Sequence, residues 1–553
     1  MPWTQAYAPV EGSVALSAAV AAVPLAVVFA CLAIFRMKAF HAALLALASA
    51  LCISVLVWGM PAKLAALAAG QGAAFGLFPV FFIVLATLFL FNITVKAGQF
   101  EIIRASLAGV TGDRRLQALL IAFCFGAFIE GAAGFGAPVA IAGATLVGLG
   151  FRPFYAAAIC LVANTAPVAF GTIGIPIVAM GGVLGLNDAG LMKLSSVVGH
   201  MLPAVSLIIP AYLVLIIAGF RRTVEVLPAV AACGGVFAVC QWEVASHLGP
   251  YLPDLLASLA AMAALMILLR FWRPRTLFRF DHDAPAEEGA HSYTRAQVVR
   301  AWSPYLALTA VVLLWGAPPV KAFLNRTTVT ISVTGLDNAV ARPQPAAPGF
   351  ASQAALPSVP IPAKFKLDYI ASGGSAVLIA ALFSALVSGL GAGETLRTFG
   401  KTLYDMRYPA ATIASVLALA YVMNASGMTP CLGLYSTKAG HMFPFISPIL
   451  GWLGVFLTGS DTSSNVLFGG LQKTAAERLG INPLLAAAAN TSGGVMGKMI
   501  SPQSLAVACA ATGMVGEEGS LFRFTLRHSL LLLLLICIIT YLQAYALAWM
   551  VPA

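Results

Sequence analysis

Glu130-Gly-Ala-Ala-Gly-Phe-Gly-Ala-Pro138 and Gly459-Ser-Asp-Thr-Ser-Ser-Asn465 are the two points at which long apolar stretches of this chain break. The first lies inside residues 116–150. Three glycines and a proline within nine residues favour a helix, turn, helix hairpin over one straight helix, because glycine is a poor helix former and proline removes a hydrogen bond. The second lies inside residues 443–479 and presents mainly hydroxyls. Each tip carries a single carboxylate, Glu130 or Asp461, among small residues.

The segments downstream of the two tips are also alike. Gly150-Phe-Arg-Pro153 leads into an alanine-rich segment, 154–186, interrupted at Asn164-Thr-Ala-Pro167. Gly480-Ile-Asn-Pro483 leads into another, 483–514, interrupted at Asn490-Thr-Ser-Gly-Gly494. From each asparagine a glycine lies seven residues on (Gly171, Gly497) and a proline twelve on (Pro176, Pro502). A hairpin plus a broken helix, present twice, is the pattern of an inverted-repeat transporter, which holds its cargo near the bilayer midplane where the broken ends meet. The competing reading is two glycine-rich packing segments, although packing gives no reason for matched Asn-Thr spacing.

The rest of the 553-residue chain is built for a solvent other than water. Hydrophobic residues make up 60% and charged residues 9%, against roughly a quarter charged in soluble domains, and the mean hydropathy is +0.93. Uncharged stretches of about 20 residues, each able to cross a hydrocarbon layer of about 30 Å as a helix, recur throughout. The expectation is an all-α integral membrane protein of about 12 transmembrane helices plus two re-entrant hairpins. Straight spans are expected at 14–35, 42–59, 75–91, 227–240, 255–271, 303–320, 373–390, 408–424 and 529–550.

Residues 1–226 form the first inverted repeat in this reading, and 227–300 supply linker spans and a cytoplasmic loop containing Asp281, His282, Asp283, Glu287 and Glu288. Residues 301–553 form the second repeat, with an extracytoplasmic loop at 321–368 whose 327–334 portion alternates like a strand. The net charge of +11 comes from Lys and Arg in short loops. With the N-terminus outside and both broken regions re-entrant, twenty of the 31 basic residues fall on the cytoplasmic side, as the positive-inside rule requires. The first apolar segment has no basic residue before it and reads as a retained span, not a cleaved leader.

Chemistry other than transport finds little support. Nine cysteines are scattered through apolar segments without a CxxC pair, and seven histidines lie apart, mostly at span ends or in loops. No metal site is expected, and no cofactor beyond a co-transported ion. There is no Walker loop, dinucleotide fingerprint, HExxH or nucleophile elbow, so ATP hydrolysis and membrane enzymology give way to gradient coupling, and nucleic acid is not an expected partner.

A small anion held at the midplane needs donors to replace its lost hydration. Ser460, Thr462, Ser463, Ser464 and Asn465 offer four hydroxyls and an amide at one tip, and Asn490, Thr491 and Ser492 a second group. Asn164, Thr165 and the backbone amides of Gly131 and Gly134 are candidates for the opposing half. Lys498 is the one basic residue expected within the membrane region; it pairs with the cargo, or snorkels, or neutralises a nearby acid. Glu130 and Asp461 are candidate proton carriers, since burial favours the neutral acid. Alternatively they are permanently charged and hold the tips in shape.

Ile129-Glu-Gly-Ala-Ala-Gly-Phe-Gly-Ala-Pro-Val-Ala, Asn164-Thr-Ala-Pro-Val-Ala-Phe-Gly, Gly174-Ile-Pro-Ile, Gly451-Trp-Leu-Gly-Val-Phe-Leu-Thr-Gly-Ser-Asp-Thr-Ser-Ser-Asn and Gly497-Lys-Met-Ile-Ser-Pro-Gln-Ser closely resemble the L-lactate permease family. The likeness runs from the Trp-containing N-terminus to Leu542-Gln-Ala-Tyr. It implies proton symport of L-lactate, with D-lactate and glycolate as companions, by a multi-pass protein of the bacterial inner membrane. Similarity to the wider ion-transporter superfamily implies an elevator-type scaffold and moving transport domain. Expected partners are a small monocarboxylate, protons and lipid, with homo-oligomerisation left open. The rival readings are a carrier for dicarboxylates or another organic anion, and a passive solute channel.

Overall fold

The lipid-facing helix Ala39–Leu56 turns small residues inward and large apolar ones outward, the reverse of a helix in a soluble protein. In Ala39–Leu56 the buried face is Ala42, Ala43, Ala46, Ala50 and Ser54, whereas Leu44, Leu45 and Leu56 are exposed. With lipid as apolar as leucine, burial of large side chains gains nothing between helices, and close backbone approach decides the packing. The computed structural model describes residues 2–35, 37–134, 136–280, 293–343 and 358–551. Arg36, Phe135, Asp281, His282, Asp283, Glu287, Glu288 and His291 lie outside that set, as does part of the 321–368 loop.

Among the described residues eleven helices are long and apolar enough to cross a membrane, or up to 12 if the bent pair Pro153–Ala163 and Val168–Leu184 is one span. The number is near the expected twelve, but it includes Arg114–Ala132 and Met428–Thr458, which hold arms of the expected hairpins, and leaves out Gly373–Val387 at the span expected at 373–390, which is shorter. Three further details differ. The span expected at 75–91 is the second half of a longer broken segment, with Ala62–Phe75 before a non-helical Phe78 and Phe82–Lys96 after it. The glycines and Gln71 lower the hydropathy of its first half, yet Gly72 and Gly76 let it lie directly on the Leu417 carbonyl and the Ala414 backbone. The span expected at 408–424 is Arg407–Ser426, and a further helix, Met428–Ser436, comes after the left-handed Gly427. The helix expected at 303–320 begins earlier, as Arg295–Gly316, capped by Thr294 in a capping box with Gln297.

Short strands form on one face. Val329–Ser332 pairs antiparallel with Lys364–Leu367, as the alternation at 327–334 implied. Val340–Pro343 pairs with Ser358–Pro360 and with Trp3–Thr4. Strands can pair only on the same side of a bilayer, so the chain start and the 321–368 loop share one side. Lys321 and Lys366 both reach Asp188 at the start of Asp188–Met201, at 3.3 and 3.6 Å.

On the basic side the structure corrects one assignment. Arg115 is not a solvated loop cation but is fully buried. Its guanidinium donates to Asp113 Oδ1 and Oδ2 at 3.1 and 2.7 Å, to Glu225 Oε2 at 2.8 Å, and to the Arg222 and Thr276 carbonyls at 3.0 and 2.8 Å. The Arg115 hydrogen bond holds the Glu225 carboxyl below the usual carboxylate range, so this arm is lost only as pH falls through that lowered value.

Arg115→Ala leaves Asp113 buried without its counter-ion, and the expected loss is roughly 3–5 kcal/mol. A lower thermal unfolding midpoint in detergent, with Glu225→Gln producing a much smaller drop, is the expected result.

Candidate functional site

The first hairpin is Gly126–Ala132 and Ala137–Gly148, turning through left-handed Gly134 and Gly136. Its neighbour, the first broken helix, stops at Ala163 and resumes as Gly171–Leu184, near whose start Thr172, Ile173 and Gly174 are non-helical at φ of 48°, 56° and 72°. Two β-branched residues in the left-handed region are costly, and strain of this kind concentrates at functional sites. The break and the hairpin tip interlock. A methyl group on Gly171 would lie 2.6 Å from Glu130 Oε1, and one on Gly134 would strike the Thr172 hydroxyl. Gly131 packs against Asp254, where an added Cβ would sit 2.9 Å from the Asp254 Cβ.

Phe443–Thr458 and Asp461–Leu479 form the second hairpin, joined through left-handed Gly459. Ser460 caps the second helix by accepting from the Ser463 amide at 3.2 Å. The amides of Asp461 and Thr462 precede that bond, at the end of the helix that attracts anions.

The break expected at Asn490–Gly494 is not there. Pro483–Lys498 is one continuous helix, and the chain interrupts at 499–501 before Pro502–Thr512. The glycines that suggested a break instead permit close approach. A methyl group on Gly493 would meet the Pro448 carbonyl carbon at 2.6 Å, and one on Gly451 the Asn490 carbonyl carbon at 2.6 Å. Phe443–Thr458 thus lies backbone to backbone on Pro483–Lys498, and for this segment the packing reading of the glycines holds.

Side chains from these pieces then form a buried polar ladder. Asn490 Nδ2 donates to Asn465 Oδ1 at 3.0 Å, and Gln472 Nε2 donates to Asn490 Oδ1 at 3.2 Å and to the Ser447 carbonyl at 2.9 Å. Asn465 Nδ2 donates to Asp461 Oδ2 at 3.4 Å and, across the repeat boundary, to the Pro176 carbonyl at 3.1 Å. The last bond reaches the backbone of the first broken helix just after its break and ties the two halves together.

Between the halves is a cavity of about 430 Å³. Of the residues singled out in the sequence, Glu130, Ser460, Asp461, Thr462, Ser463 and Lys498 line it. The Lys498 ammonium donates to the Gly459 carbonyl at 2.9 Å and lies in electrostatic range of both carboxylates. The other candidates stand behind this wall. Ser464 donates to the Gly451 carbonyl at 3.0 Å, Thr165 to the Val162 carbonyl at 2.6 Å, and Ser492 approaches the Met201 sulfur at 3.7 Å. Asn465 and Asn490 are consumed by the ladder, while Gly131 and Gly134 serve packing.

Several unmet hydrogen bonds lie on the cavity-lining acids and on the helices around them, while Gln99, Ser246, Thr328 and Gln543 carry others elsewhere among the described residues. Glu130 Oε2, Asn164 Oδ1, Asp461 Oδ1, Thr491 Oγ1 and both carboxyl oxygens of Asp254 are buried without a partner among the described residues. Buried polar atoms are nearly always paired, so such a group of orphans marks where protons or ligand atoms belong. Thr172, Gln503, Thr412, Tyr408 and Lys38 also line the cavity and were not picked out in the sequence. Thr172 and Gln503 sit within or beside the quoted motifs; Lys38 and Tyr408 carry no local signal, because only the tertiary fold brings them to the mouth.

The sequence model described as L-lactate permease matches residues 17–547. The L-lactate permease of Bacillus subtilis is 50% identical over 567 residues, covering 100% of both chains. That of Escherichia coli strain K12 is 45% identical over 560 residues, again covering 100% of both. Glycolate permease GlcA of Escherichia coli strain K12 is 45% identical and covers 98% of each chain. Among solved structures, Neisseria gonorrhoeae MtrF is 13% identical with a TM-score of 0.45, covering 84% of this chain and 81% of its own.

Gly493→Ala would force Pro483–Lys498 away from Phe443–Thr458. Overpacking of this kind costs about 1–3 kcal/mol, so the variant should unfold at a lower temperature in detergent. An unchanged midpoint would show that the two backbones are not in contact.

Proposed function

The chain belongs to the L-lactate permease family, and we propose that it imports L-lactate, with D-lactate and glycolate as further substrates, by symport with protons. It is a multi-pass protein of the bacterial inner membrane, and its relatives include proteins named for lactate and for glycolate. The observation that carries the reading is the cavity in which two ammonium groups (Lys38 and Lys498), two carboxylates and a capped helix start converge.

In this reading the substrate carboxylate lies against Lys498 and the amides at the start of Asp461–Leu479. Lys498 has three N–H donors, one of them used by Gly459. Ser460, Thr462 and Ser463 supply hydroxyls for the 2-hydroxyl group shared by lactate and glycolate. The apolar part of the wall, Val168, Ile175 and Pro176, faces the methyl group that distinguishes lactate.

Charge counting supplies the coupling. With Glu130, Asp461, Lys38 and Lys498 all charged, the cavity lining sums to zero, and an arriving anion leaves it at minus one. An uncompensated negative charge in a site only partly reached by water is unfavourable. Protonating either acid removes that penalty, so proton and anion bind together and are released together. The two hairpins with their adjacent broken helices form the moving part in this proposal, an elevator-type transport domain, and helices Ala39–Leu56 and Arg407–Ser426 belong to the scaffold at the cavity mouth. The inverted-repeat boundaries at 226 and 301 are part of the same reading.

Proteoliposomes should take up labelled L-lactate faster with an inward proton gradient than without, and unlabelled D-lactate and glycolate should compete where dicarboxylates do not. Gradient-independent uptake would remove the coupling. Asp461→Asn and Glu130→Gln should each lower gradient-driven uptake while the protein remains folded. Lys498→Met removes a charge-assisted hydrogen bond worth about 1.5–3 kcal/mol, so its KM should rise by roughly 10- to 100-fold; an unchanged KM would exclude contact with the substrate.

A further inference from the structure

Behind Glu130, away from the cavity, a third acid is buried. Asp254 comes directly after Pro253 at the start of Pro253–Phe271 and is 1% exposed. Neither of its carboxyl oxygens has a hydrogen-bond partner among the described residues. Its Cβ packs on Gly131, the residue after Glu130, closely enough that alanine could not replace that glycine without displacement. The elements packed on this helix are Leu227–His247, Gly126–Ala132 and the π-helical stretch Leu119–Phe125 that leads into Gly126–Ala132. From the first comes the Gln241 amide, which lies beside Asp254 and is already engaged with the Ala166 carbonyl at 3.0 Å and Ser206 at 2.7 Å. From the second comes Glu130, the charged group acting on Asp254. From the third comes Cys124, which faces Cys233 at 3.3 Å.

Two buried carboxyls on packed helices, within electrostatic range of each other, cannot both be ionised cheaply, and the stable arrangement keeps a proton on one of them. We propose that Glu130 and Asp254 form the proton-carrying site, with Asp254 as the buried partner acid that shares one proton with Glu130 behind the cavity wall. The inference rests on the symport reading and deepens it. Glu130 lines the cavity and exchanges the proton with water there; Asp254 stands behind the lining and holds the proton while the site is closed. Asp461, bonded to Asn465 and near Lys498, then serves the substrate side. The glycine at 131 is explained as well, because a side chain there would separate the two acids.

The test compares wild type, D254N and, as a control on the same helix, S258A, whose hydroxyl donates to the Leu255 carbonyl within its own helix. Each is reconstituted and assayed for L-lactate uptake with and without an inward proton gradient, across a range of pH. D254N is expected to lose stimulation by the gradient and to show a flattened pH profile, while S258A keeps both. Wild-type coupling and pH profile in D254N would overturn the dyad while leaving symport standing. Absence of gradient stimulation in wild type would instead overturn symport itself. Stimulation of wild type by a sodium gradient, lost in D254N, would assign the site to a metal cation and overturn the proton. Should D254N fail to fold, dicyclohexylcarbodiimide, which attacks protonated carboxyls in apolar surroundings, is applied to wild type and the adduct mapped by mass spectrometry. Modification at Asp254 or Glu130, increasing as pH falls, supports the dyad. Inactivation by the reagent with neither peptide modified overturns it.

Discussion

A helix may break inside a bilayer only where protein covers the backbone that the break exposes, and this constraint organises the molecule. Beside the first break the Asn465 amide bridges the two halves, by donating to the Pro176 carbonyl of the resumed helix. Once a side chain of one half is bonded to the backbone of the other beside the break, the halves are committed to lie face to face. The cavity is the space left between them. Its polar lining is a consequence of the same geometry, since a helix start and a helix interruption both present amides or carbonyls without internal partners.

The two halves meet this constraint unequally, and the difference comes from residue type. At the first break, Pro167 and the left-handed run from Thr172 to Gly174 leave no continuous hydrogen-bond ladder. At the corresponding place in the second half, Asn490-Thr-Ser-Gly-Gly494 contains no proline, so the ladder persists and the helix runs on to Lys498. Its interruption is displaced to 499–501, just before Pro502. Asparagine therefore does different work in the two copies. Asn164 stands at the end of a helix with an unpartnered side-chain oxygen among the described residues, whereas Asn490 lies mid-helix and cross-links two helices.

Much of this was legible in the sequence, for physical reasons that can be named. Spans were readable because a bilayer demands about 20 apolar residues per crossing, and hairpin tips because glycine and proline interrupt helices whatever surrounds them. The Ala62–Phe75 helix was not, because its small and polar residues lower the hydropathy while serving backbone contacts that only the fold reveals. Nor was the role of glycine at 451, 493 and 497 legible, since a glycine that breaks a helix and one that admits a neighbour look alike in one dimension. Asp254 was hidden for a different reason. It sits at the edge of an apolar stretch, where an acid normally faces water, and nothing local shows that Gly131 covers it.

Arg115 and Lys498 show how a structural cation is told from a functional one. Each is a basic residue lodged among apolar helices, and both were expected elsewhere or left ambiguous by sequence. The guanidinium of Arg115 has five N–H donors, and all five are used, three on carboxylates and two on backbone carbonyls. Its charge is neutralised in place and nothing more can bind there without displacing a partner. Lys498 donates to a carbonyl that carries no charge and faces a cavity. Its neighbours Glu130 and Asp461 still have carboxyl oxygens without partners among the described residues. A buried charge with its valences filled holds a fold together, and one with valences open, beside acids in the same condition, is poised for exchange of protons and anions.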